Sequence, residues 1–327
     1  MKKIFLAFFA LPYLLQAQNS FNPTEYAETI TSKELMEHLY VYASDYFQGR
    51  ETGTVGQKRA IDFLQNFYST HGIDPAQGTD NYKQSMELNI QGVPVQTENI
   101  AAILKGTLYP EEYIVISSHL DHIGVTNGAI NNGADDDGSG TVSLLEIAEA
   151  FKLAADAGHG PKRSLIFLHV TGEEKGLLGS SYYAQNPLYP LQNTMANLNI
   201  DMVGRTDPKR EDKDPNYIYL IGADKLSQDL HDLSEETNTK YTQLKLDYTF
   251  NDEKDPNRFY YRSDHYNFAK NNIPVIFYFN GTHEDYHQEG DTPDKINYPL
   301  LAKRTQLIFY TAWELANRSE KIKLNKS

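Results

Sequence analysis

Histidine and acidic side chains occur in short clusters that each follow an apolar segment of the 327-residue chain. The clusters are SHLDH (118–122), GADDDGSG (133–140), TGEE (171–174), the single Asp201, and HEDYH (283–287), after which Asp291 follows. Because the chain has no cysteine, nitrogen and oxygen ligands must hold any metal. Imidazole and carboxylate together suit zinc, with manganese or cobalt as substitutes. One acidic cluster alone is typical of a solvated turn, but several carboxylates in one crevice repel each other unless cations bind there.

An alternation of predicted strands and helices positions these clusters. Helices are predicted at 31–42, 55–71, 141–157 and 296–317, and strands at 99–105, 113–118, 164–170, 198–203, 217–221 and 274–279. Several strands are apolar on both faces, which is typical of a parallel or mixed sheet covered by helices on both sides. Ligands of such α/β sheets bind beyond the carboxyl ends of the strands. The clusters that follow successive strands are therefore expected to converge on one crevice.

The composition excludes several classes of protein. The chain carries 30 basic and 44 acidic residues, a formal net charge of −14, which disfavours broad binding to nucleic acid. A hydrophobic fraction of 40% argues against a disordered polymer. No repeat or low-complexity linker divides residues 18–327, so we expect a single domain with a lead-in at 18–94 and a core at 95–317.

The N-terminal residues 1–17 have the pattern of a secretory signal peptide. Lys2 and Lys3 precede an apolar run that ends near Leu15, and Ala17 is a suitable cleavage site. The run is too short to span a bilayer, which needs about 20 residues. We therefore expect an exported protein, periplasmic or extracellular, without membrane insertion after the signal is removed.

Six ordered motifs resemble the dizinc aminopeptidases of the bacterial leucyl-aminopeptidase type, which are zinc-dependent exopeptidases. The matching segments are SHLDHIG (118–124), GADDDGSG (133–140), GEEKGLLGS (172–180), NIDMVGR (199–205), RSDH (262–265) and HEDYHQEGDT (283–292). The similarity covers roughly residues 95–315. It implies a three-layer α/β/α fold with a mostly parallel mixed central sheet, and a helical lead-in at 18–94.

The resemblance also implies a site for two Zn²⁺ ions. In it, His119 and Asp201 bind one ion, Glu174 and His287 bind the other, and Asp136 bridges both. Each ion then keeps an open position, as catalytic zinc requires. The peptide bond between Asp136 and Asp137 is expected to be cis, as in relatives with the same acidic triplet.

Other residues receive supporting roles. Glu173 is the expected general base, which takes a proton from water and delivers it to the leaving amine. Asp121 and Asp291 are expected to accept the second ring N–H of His119 and of His287, respectively. Counting from the RSDH motif gives Tyr260 as a candidate to assist the oxyanion, although a packing role is equally compatible with the sequence. The expected substrates are peptide or protein N-termini, and the expected oligomeric state is a monomer.

Three alternatives stay open at this point. A glutaminyl-cyclase-like transferase shares the fold but uses one zinc, and the intact acidic triplet favours two. A non-catalytic domain of the same fold would have lost ligands or the base. A dipeptidase or carboxypeptidase of the same superfamily differs in requiring a free carboxylate.

Overall fold

The computed structural model describes residues 22–326, so the predicted signal peptide at 1–17 lies outside the described residues. The helices are α1 (Thr24–Ala27), α2 (Ser32–Tyr42), α3 (Val55–Thr70), α4 (Gly140–Asp156), α5 (Leu178–Gln185), α6 (Gln228–Tyr241), α7 (His265–Ala269) and α8 (Tyr298–Asn317). The strands are β1 (Asp74–Pro75), β2 (Lys83–Ile90), β3 (Val93–Leu104), β4 (Tyr109–His119), β5 (Val125–Thr126), β6 (Ala129–Ile130), β7 (Arg163–Val170), β8 (Thr194–Ile200), β9 (Tyr217–Ile221), β10 (Lys245–Asp247) and β11 (Val275–Phe279).

A mixed sheet of nine strands forms the centre of the fold, in the order β1-β3-β7-β4-β8-β11-β9-β10, with β2 paired to β3 outside this path. The central strands β7, β4, β8 and β11 run parallel to one another. Strands β3 and β9 flank them in the antiparallel direction. Strands β7, β8, β9 and β11 are buried along their whole length, which explains why their sequences are apolar runs rather than alternating patterns.

Helices cover both faces of the sheet. On one face, α2, α4 and α8 pack on each other and bury residues such as Leu39, Leu144 and Leu301. On the other face, α5 contacts α7, and Tyr183 and Phe268 from these helices belong to a second apolar cluster. The predicted three-layer α/β/α architecture is confirmed.

The lead-in at 18–94 is not helical throughout. Its helices α2 and α3 begin near the predicted positions, and the side chains of Thr31 and Thr54 cap them by accepting main-chain N–H groups. The segment also supplies β2, which pairs antiparallel with β3 and was not predicted. Buried and exposed residues alternate along β2, but the buried residue Gln84 is polar. The sequence therefore lacks part of the alternation of apolar and polar residues that predicts a strand.

The sheet brings the predicted ligands together at one edge. Strand β4 ends at His119, β7 ends at Val170 four residues before Glu174, and β8 ends immediately before Asp201. Because β7, β4 and β8 are adjacent and parallel, their carboxyl ends lie side by side. No helix within residues 22–326 is long and apolar enough to cross a membrane.

Candidate metal centre

One group of ligands surrounds the ring of His119, which is fully buried at the end of β4. Its Nε2 lies 3.1 Å from Oδ1 of Asp136 and 3.7 Å from Oδ1 of Asp201. These three side chains come from segments separated by 17 and 65 residues, counted from the sequence positions. The structure therefore joins the residues expected to bind the first ion.

A second group lies on the other side of Asp136. Nε2 of His287 is 3.1 Å from Oδ2 of Asp136 and 3.1 Å from Oε2 of Glu174. Asp136 thus presents Oδ1 to His119 and Oδ2 to His287. That is the orientation required of a carboxylate that bridges two ions.

His122 also belongs to this second group, although sequence reasoning did not include it. Its Nδ1 lies 2.9 Å from Oε1 of Glu174 and 3.8 Å from Oδ2 of Asp136, and its ring is fully buried. Together with Asp136 and Glu174 it forms a set of ligand atoms within 4.8 Å of one another. The only signal in the sequence was its position directly after Asp121.

The donor atoms of both groups fit a metal. Within the described part of the chain, buried atoms of His119 (Nε2), His122 (Nδ1), Asp136 (Oδ2) and Glu174 (Oε1) make no hydrogen bond. Buried polar atoms without partners are costly, and ligands to a cation are a common reason for such an arrangement. Zinc accepts this set of imidazole and carboxylate donors.

The acidic loop before α4 is held by contacts to its main chain. The peptide bond between Asp136 and Asp137 is cis, as expected. Asp137 lies within the first group of potential ligand atoms, but its carboxylate accepts N–H groups from His119, Gly140 and Met202. Its oxygens are occupied by the main chain, whereas Asp136 is free to face both groups. Asp136 is therefore the candidate metal ligand of the triplet, and Asp137 stabilises the loop.

The carboxylates of Asp121 and Asp291 make their hydrogen bonds mainly with groups other than the predicted histidines, although Oδ1 of Asp121 lies 3.9 Å from Nδ1 of His119. His119 donates from Nδ1 to the main-chain oxygen of Asp121 at 2.9 Å, while the Asp121 carboxylate accepts from Thr52 and from the N–H of Glu173. Asp291 accepts the N–H groups of Asp135 and Asp136 at 3.0–3.1 Å. Both acids bind main-chain or hydroxyl donors because the loops fold back over them, which residue spacing does not reveal.

Glu173 precedes the predicted ligand Glu174 and lines the same cavity as Asp136 and Asp201. Within residues 22–326, the histidine ion pairs of these two glutamates go to Glu174, and none is formed with the carboxylate of Glu173. Burial raises its pKa well above the usual range; the nearby ring of His119 opposes this shift, and the carboxylates of Glu174 and Asp201 add to it. This geometry leaves Glu173 available for proton transfer.

The predicted tyrosine does not line this cavity. Tyr260 packs against the rings of Tyr261, Tyr266 and His265, and its main-chain oxygen accepts a hydrogen bond from Nε2 of His265. The cavity is lined instead by Tyr286, whose ring stacks on His287 at 3.9 Å. Its position immediately before a predicted ligand was the available signal.

The cavity beside the carboxylates is narrow, with a volume of about 30 Å³. Apart from Asp136, Glu173 and Asp201, its walls are mostly aromatic or apolar. The remaining lining residues are Met202, Phe259, Arg262, Phe277, Phe279, Thr282 and Tyr286. A mostly apolar wall therefore lies next to the two ligand groups.

The α/β fold and the paired histidine–carboxylate groups define a candidate metal-dependent enzyme. The profile of Peptidase family M28 matches residues 99–312. The chain therefore belongs to this family, and the resemblance stated above is confirmed.

Curated relatives carry related names. A probable leucine aminopeptidase of Arthroderma benhamiae is 30% identical over 261 residues, covering 75% of this chain and 67% of the relative. A probable zinc metalloprotease of Pyricularia oryzae is 26% identical over 279 residues. The matched part covers 72% of this chain but only 54% of that relative, so the chain spans about half the length of some relatives.

Solved structures share the fold. The LapA aminopeptidase of Legionella pneumophila superposes with a TM-score of 0.69 and 20% identity, covering 98% of this chain and 81% of LapA. Glutaminyl cyclase of Porphyromonas gingivalis superposes with a TM-score of 0.66 and 20% identity, covering 86% of this chain and 97% of the cyclase. At these identities the superpositions establish the fold alone.

Proposed function

We propose that this protein is an exported zinc-dependent aminopeptidase that binds two zinc ions and uses Glu173 as general base. The observation that carries the proposal is the bridging orientation of Asp136, with one carboxylate oxygen toward His119 and the other toward His287. Family membership supports peptide hydrolysis, and the names of the curated relatives favour an aminopeptidase.

The ligands divide into two sets around Asp136. His119 and Asp201 would hold one ion, and Glu174 and His287 would hold the other, with His122 in contact with Glu174. When bound, two divalent ions supply Lewis acidity toward the scissile carbonyl and lower the pKa of the attacking water. Manganese or cobalt can replace zinc at such a nitrogen and oxygen site.

Glu173 performs the proton transfers. Its carboxylate lies in the cavity without a histidine partner, so it accepts the proton of the attacking water and then delivers it to the leaving amine. Burial first, and the carboxylates of Asp136 and Glu174 next, raise the pKa of Tyr286, so its hydroxyl stays protonated. Tyr286 is therefore the donor we assign to the oxyanion, in place of Tyr260.

An assay with leucyl-p-nitroanilide and parallel zinc analysis tests the proposal. We expect hydrolysis that stops on chelation and about two zinc ions per chain. Cyclisation of an N-terminal glutamine by a protein with one zinc would identify a glutaminyl-cyclase-like transferase, whose fold is also similar. Cleavage of an N-terminally blocked peptide would identify a carboxypeptidase, and cleavage confined to dipeptides would identify a dipeptidase.

Export and oligomeric state are part of the same proposal. The signal-like residues 1–17 support secretion to the periplasm or the medium. Cell fractionation with N-terminal sequencing should recover a chain that begins near residue 18. Light scattering of this mature chain should give the mass of a monomer.

A further inference from the structure

The guanidinium of Arg262 is a charged group that lies outside the two ligand groups. This exposed side chain lines the cavity that also contains Asp136, Glu173 and Asp201. It is the only cation among the described residues that line this cavity. Its guanidinium lies over the ring of Phe259, another wall residue, at 5.0 Å from the ring centre.

The main chain that carries Arg262 is held close to the ligand groups. The N–H of Arg262 donates to the oxygen of Phe259 at 3.0 Å. The next residue, Ser263, donates from Oγ to Oδ2 of Asp201 at 2.6 Å and accepts from Nδ2 of Asn199 at 2.8 Å. Because Asp201 is a proposed zinc ligand, these bonds fix the start of the Arg262 side chain relative to the metal centre.

Arg262 has no acidic partner within residues 22–326. Among the described residues its side chain contacts the ring of Phe259, in a chain with a net charge of −14. With two divalent ions, the four carboxylates of Asp136, Glu173, Glu174 and Asp201 are formally neutralised. The guanidinium then remains as a positive charge that faces the substrate cavity.

We propose that Arg262 binds a carboxylate of the substrate at the rim of the cavity. The guanidinium group suits this role because it presents paired N–H donors that match a carboxylate. The carboxylate belongs either to an acidic N-terminal residue or to the C-terminus of a short peptide. This inference rests on the proposed aminopeptidase function and names its substrate class.

Two substrate pairs separate these sources. Glutamyl- and glutaminyl-p-nitroanilide differ in the side-chain carboxylate, and Leu-Ala and its C-terminal amide differ in the terminal carboxylate. The preference is the kcat/KM of the substrate with the carboxylate divided by that of its amide partner. For one pair, Arg262→Gln should lower this ratio by roughly ten- to hundredfold, because a charge-assisted hydrogen bond contributes about that much. Arg262→Lys should retain part of the preference, because it keeps the charge but loses the paired donors.

Arg258→Gln is the matched control, because Arg258 is also exposed and lies 4.8 Å over a ring, that of Tyr261, but does not line the cavity. It should leave both ratios unchanged. Unchanged ratios in Arg262→Gln, or equal changes in both variants, overturn the proposal.

Calorimetry can measure the binding of the same substrate pairs without turnover. The two proteins to compare are the Glu173→Gln variant and the Glu173→Gln/Arg262→Gln double variant. If the wild-type enzyme cleaves none of the substrates, the aminopeptidase proposal fails. The ratio of the binding constants then tests the role of Arg262 independently. A loss of preference for the carboxylate in the double variant supports this role, and equal ratios in the two proteins overturn it.

Discussion

The arrangement around Glu173 and Glu174 separates two carboxylates that are adjacent in sequence. Glu174 points to His122 and His287, whereas Glu173 lines the cavity without a histidine partner. We therefore expect Glu173→Gln to keep its zinc and its fold but to lose nearly all turnover. Leucyl-p-nitroanilide assays with zinc analysis on the same samples would check this, and full activity in the variant would remove Glu173 as the base.

Asp136→Asn, in contrast, should lose zinc as well as activity. The amide keeps one oxygen but carries no charge, so it is a poor bridge between two cations that now repel each other more strongly. We expect the variant to bind less than two zinc ions per chain and to lose activity in proportion. Zinc titration against a chelating indicator measures this, and wild-type stoichiometry in Asp136→Asn would exclude the bridging role.

Tyr286 gives a third test at this scale. Tyr286→Phe removes the hydroxyl while its ring can still stack on His287, so we expect a lower kcat with little change in KM. The removal of one oxyanion donor typically costs about 3–4 kcal/mol, or roughly 10²–10³ in kcat. Tyr260→Phe is the matched control. A larger loss of kcat in the Tyr260 variant would show that Tyr260, the residue predicted from the RSDH motif, is the oxyanion donor.

Sequence reasoning identified residues that follow strands better than residues that approach the site from the side. His119 ends a strand, Glu174 and Asp201 follow strands, and the structure brings them together with Asp136 and His287. The contact of His122 with Glu174 depends on how the loop after β4 turns back. The positions of Tyr286 and Arg262 at the cavity also depend on tertiary packing. No periodic pattern in the sequence predicts such packing.

At the scale of elements, burial on both faces made the strands predictable. Strands β7, β8 and β11 are apolar runs in the parallel centre of the sheet, and their positions follow from the sequence. Helix α6 was missed because its surface is mostly polar, with only a few buried residues such as Leu230. Strand β2 was missed because polar Gln84 occupies a buried position through bonds to Asn99 and Asn186.

Strand β7 also carries a pH-sensitive contribution to stability. His169 is fully buried in β7, where its ring nitrogens bond the hydroxyls of Tyr68 and Ser118 at 2.8 and 3.0 Å. Burial lowers its pKa to about 3 from the ordinary value of 6.5. Between these values the unfolded chain binds a proton that the folded protein does not, so stability falls as the pH falls below 6.5. At pH 5 the loss is about 2 kcal/mol.

The difference in unfolding free energy between pH 7.5 and pH 5 measures this effect in zinc-free protein. In His169→Gln the difference should shrink by about 2 kcal/mol, because the group that takes up the proton is gone. The proposed zinc ligands titrate in both proteins, so their contribution cancels in the comparison. A variant that keeps the full wild-type difference would show that His169 does not contribute.

At the scale of the whole molecule, the charge distribution links metal binding to folding. The chain has an excess of acidic residues, and several of its carboxylates converge at the ends of β4, β7 and β8. Without cations these groups repel one another in a buried place, so the folded state carries an electrostatic cost that the unfolded chain avoids. Ions that bind only the folded state stabilise it by mass action, by about 2.7 kcal/mol at a free concentration of 100 times Kd.

Chelation should therefore lower the Tm by several degrees, and added zinc should restore it in steps that saturate near two equivalents. Scanning calorimetry of the wild-type protein during a zinc titration measures both the size and the stoichiometry of the shift. Asp136→Asn is the informative comparison, because it removes the residue shared by both groups and leaves the rest of the sheet edge intact. Its Tm should respond weakly to zinc. An equal rise in both proteins would mean that zinc stabilises the chain from elsewhere, and that the convergence of these strands does not form the metal centre.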